Sequence, residues 1–144
     1  MPEASSAKAP TRRGPGTVLI TIYCLFTLAA GARSITQLIL QASLAPVAYS
    51  LSLVAAVIYA LGALALWRVT RGAPTAIARV WCLVELGGVL TVGTLSLLLP
   101  TWFPHPSVWS SYGSGYGFLP AALPLLALWW LRTIDRARVA LPHA

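Results

Sequence analysis

Glu85 is the only acid inside any of the long apolar runs of this chain, and it sits in "VELGGVLTVGTLSLL" (84–98). Arg33 lies inside the first run, and Gln37 and Gln41 follow it at i+4 and i+8, on one face of a helix. An ionisable group within a membrane is a functional site by default, and Arg33 is the nearest plausible partner for Glu85. Helical rise puts Arg33 about 24 Å into the first segment and Glu85 about 13 Å into the third, so their depths differ by about 10 Å. Tyr116 comes out at a level similar to Arg33, with Tyr112 beside it in "SSYGSGYGFLP" (110–120). The expected intramembrane polar site is therefore Arg33, Gln37, Gln41, Glu85, Tyr112 and Tyr116. Two uses follow: a paired structural core, or proton or ion coupling if Glu85 faces a wet cavity.

Other chemistry finds little material. Cys24 and Cys82 both lie in apolar runs, outside any CxxC or Cys/His set, and read as buried small hydrophobes. His105 and His143 have no metal-ligand spacing around them. No nucleophile–base pair, carboxylate pair or cofactor box is present. The expectation is a protein that is not an enzyme, with no cofactor and no metal.

The glycine stretch admits several readings. Its spacing is GxGxG rather than GxGxxG and no strand precedes it, which sets a nucleotide loop aside. "GYG" at 115–117 has the form of an ion filter, yet Ser114 and Phe118 flank it and no pore helix precedes it. Packing is the third reading. Trp102, Phe103, Trp109, Tyr112, Tyr116 and Phe118 form an aromatic belt, and Gly113, Gly115 and Gly117 let helix backbones approach. Gly87 and Gly88 suit close packing in the third segment. Ala48, Ser52, Ala56 and Ala60 make a small-residue seam at i+4 steps in the second.

These residues need elements to hold them, and composition names the class. The chain is 58% hydrophobic and 9% charged, against about 25% charged for a soluble domain, so lipid must cover part of its surface. The net charge of +7 clusters between apolar runs, a membrane pattern that excludes nucleic acid as partner. Four spans are expected, at about 17–40, 46–67, 75–99 and 112–131, each near the 20 residues a bilayer requires. Pro46 suits a first helical turn and Thr75 an N-cap. Residues 1–16 read as a disordered basic tail, 17–134 as a four-helix transmembrane domain and 135–144 as a cytoplasmic tail. Trp129 and Trp130 mark the cytoplasmic interface of the fourth span.

Lys8, Arg12 and Arg13, then Arg68, Arg71 and Arg79, then Arg132, Arg136 and Arg138 fall on one side of such a bundle. Both termini are then cytoplasmic, in the plasma (inner) membrane. A competing reading takes "AAGA" (29–32) as a signal-peptide cleavage site, which leaves three spans. Against it, the apolar run resumes at Ile35.

"VELGGVLTVGTLSLL" (84–98) and "VWSSYGSGYGFLPAALPLLALWWLR" (108–132) resemble a group of small four-span integral membrane proteins from actinobacteria. Nine Arg against one Lys fits the same source. The resemblance implies a topology and nothing catalytic. Two functions stay open. One is an accessory or scaffold subunit docking on a larger membrane complex or on itself, in contact with membrane lipids. The other is a small transporter or lipid-binding protein using the polar site.

Overall fold

The computed structural model describes residues 13–140. They form α1 (Arg13–Gln41), α2 (Pro46–Thr70), α3 (Ala76–Leu98) and α4 (Leu119–Val139), with 3₁₀ segments at Pro100–Trp102 and Ser110–Tyr116. No strand occurs among the described residues. α1, α2 and α3 are each long and apolar enough to cross a membrane. Ser110–Tyr116 with α4, bent by 96°, adds a fourth candidate if the pair is one broken span.

Several boundaries move from those expected. α1 starts at Arg13, so residues 13–16 are helix rather than tail. Pro15 is harmless there, because the first-turn N–H groups have no intrahelical acceptor. Residues 1–12 and 141–144, with Lys8, Arg12 and His143, lie outside the described residues. α4 runs on to Val139, past the expected start of the tail at 135. Its last turns are tied back to the α2–α3 turn, where Arg138 donates to the Ala73 carbonyl at 3.0 Å.

The turn between α2 and α3 closes for a local reason. Ala73 donates to the Arg68 carbonyl and Gly72 to that of Val69, the paired bonds of a Schellman cap. Gly72 has φ +99°, which a side chain would resist. Thr75 does not cap α3 with its side chain.

α1 and α2 make the most extensive helix pair, α3 packs on α2, and α4 packs on α3 and touches α1. α2 is central. Ala48, Ser52 and Ala56 of the expected seam are buried, and Gly31 of α1 comes close enough that a Cβ there would sit 3.7 Å from the Ala56 Cβ. Ala60 is exposed instead. Each four-residue step overshoots the helical period by about 40°, so the fourth member has rotated out of the contact. The core between these helices holds Tyr23, Tyr59, Leu66, Val89, Leu123 and Leu131.

The expected fourth span at 112–131 is not one helix. Ser111, Tyr112 and Gly113 have φ of 49°, 60° and 80°, and Gly117 and Phe118 are also left-handed. Backbone of that hand cannot join the α-helical hydrogen-bond ladder, so α4 begins only at Leu119. Its apolar part is consequently short, and residues 110–118 lie across the end of the bundle against α3 and α4.

Candidate functional site

Glu85 faces the bundle interior and is 1% exposed. Its Oε2 accepts a hydrogen bond from the Tyr23 hydroxyl of α1 at 2.6 Å. Its Oε1 is buried with no partner. Tyr23 stands edge-on to Tyr59 of α2, with ring centroids 6.1 Å apart. Tyr59 in turn accepts from Trp109 Nε1 at 2.8 Å. Cys82, also buried, precedes Glu85 by one helical turn. One acid, two tyrosines and an indole from α1, α2, α3 and the 99–118 connection thus meet in the core.

Glycines make room for these rings. A Cβ at Gly88 would lie 2.6 Å from the Trp109 ring, and one at Gly62 would lie 3.2 Å from Tyr23. Gly93 similarly admits Tyr112, whose backbone N would be 2.8 Å from an added Cβ. Gly88 and Gly93 are therefore notches for aromatic residues rather than helix–helix contacts. Gly87 faces outward, and a Cβ there would meet nothing within 4 Å. The same holds for Gly115 and Gly117, which do not pack helices together. Gly117 is needed instead for its left-handed backbone. Gly113 is constrained twice, by φ +80° and by Pro120, whose ring would lie 2.6 Å from a Cβ.

Arg33 is elsewhere. It is exposed on α1, and its Nη1 donates to the Tyr116 hydroxyl at 2.7 Å. The expected pair with Glu85 is not made. Ten residues separate Tyr23 from Arg33 on α1, about 15 Å of rise, so the carboxyl meets the tyrosine while the guanidinium stands near the far end of the bundle. Tyr112 turns to Thr94, with the hydroxyls 3.1 Å apart. Gln37 is half-buried and Gln41 exposed, and neither bonds to Glu85, Tyr112 or Tyr116. The six-residue polar site thus separates into a Tyr23–Glu85 core, an Arg33–Tyr116 surface pair and a Thr94–Tyr112 contact.

The connection is fastened by short polar contacts. Val108 N–H donates to Ser52 Oγ at 3.1 Å and Ser111 N–H to Ser96 Oγ at 2.8 Å. Ser107 and Ser110 bond to each other at 2.9 Å. Trp109 is buried, so it leaves the expected interfacial belt; Trp102 and Phe118 stay exposed. Trp130 is likewise buried, against Gly16, while Trp129 remains exposed. Cys24 is exposed, against the expectation of burial, on a helix long and apolar enough to cross a membrane.

At the opposite end Asp135 of α4 accepts from the Thr75 hydroxyl at 2.9 Å and forms an ion pair with Arg79. The hydroxyl expected to cap α3 is used across the bundle. Both charged side chains are over a third exposed, so the pair is worth little energy and serves as a tether between α3 and α4.

Tyr23, Tyr59 and Asp135 do not stand out in the sequence, and Trp109 was expected in the aromatic belt rather than in the core. For Tyr23 a signal existed. It is ten residues from the start of α1 and Glu85 is nine from the start of α3, so the two share a depth in parallel helices. For Trp109 there was none, since nothing local says that a loop ring enters a core. No family model, no curated protein and no solved structure matches the chain.

Proposed function

We propose that the protein is a non-catalytic, four-span subunit of the plasma membrane, with both termini in the cytoplasm, that docks on another membrane protein through one flank of α1. The observation that carries this reading is Arg33, an exposed cation about 12 Å inside the end of α1, with Ala29, Thr36 and Leu40 exposed on the same flank. An intramembrane cation facing outward is costly, less so near the edge where it can snorkel. Tyr116 offers it an oxygen but no counter-charge. A carboxylate at matching depth on a neighbouring span supplies that charge. The core argues the same way. Glu85 and Trp109 are engaged internally and enclosed by protein, leaving the outer surfaces to interact.

Blue-native electrophoresis of solubilised membranes tests the docking. The wild type migrates as a complex of defined mass, and Arg33→Glu releases the subunit while its melting temperature holds. A wild type that migrates alone, or a complex indifferent to Arg33→Glu, overturns the reading. Topology is tested separately, in a background without Cys24 and Cys82. A cysteine at exposed His105 is labelled from outside sealed cells and one at exposed Pro74 is not. The reverse pattern refutes the orientation.

A second reading, a small transporter or lipid-binding protein coupled through Glu85, has one observation behind it, the unpartnered Oε1. A stable Glu85→Gln protein that retains its complex but loses cellular function favours it.

A further inference from the structure

Between α1 and α2 an open groove of about 470 Å³ runs along the outside of the bundle. Small residues line it, Cys24, Thr27, Ala60 and the buried Ala63, together with the large exposed side chains of Leu28, Leu64 and Trp67. At the end near the α2–α3 turn it continues into a second space of about 410 Å³ that shares Ile20 and Trp67 and adds Thr17, Thr21, Thr70 and Arg71. The lining changes along its length from hydrocarbon to hydroxyl and guanidinium. Arg71 is stacked on the Trp67 ring with its guanidinium carbon 4.0 Å from the centroid. Its side chain forms no ion pair among the described residues.

From Thr17 to Leu28 the groove follows eleven residues of α1, about 16 Å. That is half of a hydrocarbon core about 30 Å thick, hence the depth of one leaflet. Trp67 and Arg71 then stand at headgroup level, where indoles anchor and cations meet phosphates. A partner helix would need no such gradient, and a free phosphate would leave the apolar length unfilled. We infer that this groove is a binding site for one anionic phospholipid, its acyl chain along Cys24, Thr27 and Ala60 and its phosphate at Arg71.

The Arg71–Trp67 stack is what makes the site more than a greasy surface. The ring holds the guanidinium at the mouth of the groove, so less side-chain freedom is lost when the phosphate arrives. The proposal uses none of the α1 flank that carries Arg33, so it stands or falls apart from the docking reading.

Native mass spectrometry of the full chain, released from nanodiscs of phosphatidylcholine with or without phosphatidylglycerol, is the test. One phosphatidylglycerol per chain stays bound in preference to phosphatidylcholine. Arg71→Ala lowers that preference about fivefold, the effect of one basic residue at an anionic surface, and Arg71→Lys keeps part of it. Ala60→Phe, which fills the groove from an exposed lining position, lowers retention of both lipids. Arg136→Ala, on α4, changes neither. Equal retention of the two lipids by the wild type, or an Arg71→Ala protein with undiminished preference, overturns the proposal. So does a dimer that Ala60→Phe dissociates, since a second copy would then occupy the groove.

Discussion

Replacing Gly88 by alanine adds one methyl group to a crowded contact of the aromatic core. The new Cβ would stand 2.6 and 2.7 Å from two carbons of the Trp109 ring, where ordinary contact begins at 3.4 Å. The indole must retreat by roughly 0.8 Å, and it is a rigid ring in a buried site. Retreat stretches the 2.8 Å bond from Nε1 to Tyr59 towards the limit of hydrogen bonding. Overpacking of this kind costs about 1–3 kcal/mol. A buried donor left without its acceptor costs about 1–3 kcal/mol more if the bond fails outright. Against this, alanine is a better helix former than glycine by about 1 kcal/mol. The net loss is about 0–2 kcal/mol if the bond survives and about 1–5 kcal/mol if it fails. Gly87→Ala is the matched control, with the same helix gain at a position where a Cβ touches nothing. Thermal unfolding in detergent compares the two. At about 4 °C per kcal/mol for a chain of this size, Gly88→Ala melts several degrees below Gly87→Ala. Equal melting temperatures would refute the notch and the buried placement of Trp109 with it.

Tyr23→Phe removes the hydroxyl bonded to Glu85, leaving both carboxyl oxygens without partners among the described residues, and lowers stability by about 1–3 kcal/mol in the same melting assay. Arg33→Gln and Glu85→Gln act on separate contacts, so their effects add to within about 0.5 kcal/mol, and a double mutant that recovers stability would restore the direct pair. A cycle of Arg79→Ala and Asp135→Ala gives a coupling of about 0.2–1 kcal/mol that salt reduces, as half-exposed charges require. Gly115→Leu melts with the wild type because the site is open, whereas Gly113→Leu meets Pro120 and a left-handed backbone and melts lower.

The helices were legible in the sequence because their cause is local. Apolar length, Pro46 at a first turn and the expected start at Thr75 place the starts of α2 and α3 within a residue, while α2 runs three residues past its expected end at 67. The fourth element was not, since its form depends on consecutive left-handed residues held by Ser96, Thr94 and Gly93 of another helix. Ser and Tyr seldom adopt that conformation unaided, so no propensity announces it. For the site, residue type alone picked out Glu85 and Arg33, since charges inside apolar runs stand out. Their partners did not emerge, because pairing depends on depth and rotation together. Tyr23 and Arg33 lie about 15 Å apart along α1, nearly three turns, and only opposite charge favoured Arg33 over the tyrosine as the partner of Glu85. The glycines expected to pack helices were Gly87, Gly88, Gly113, Gly115 and Gly117, and Gly93 was not among them. At Gly88 and Gly93 glycine serves rings from the connection, and a linear pattern carries no trace of what lies opposite.

The direct bond between Tyr23 and Glu85 bears on how the chain is assembled. Synthesis runs from the N-terminus, so the phenol has already left the ribosome when the carboxyl, 62 residues later, enters the insertion machinery. α3 therefore never has to bury its acid alone, because α1 presents a waiting donor at the right level. The slot beside Gly88 is a different matter. Its occupant, Trp109, emerges only after α3, so the nascent three-helix stage carries an open cleft lined by Tyr59. A chain truncated before residue 109 lacks the ring that fills that cleft.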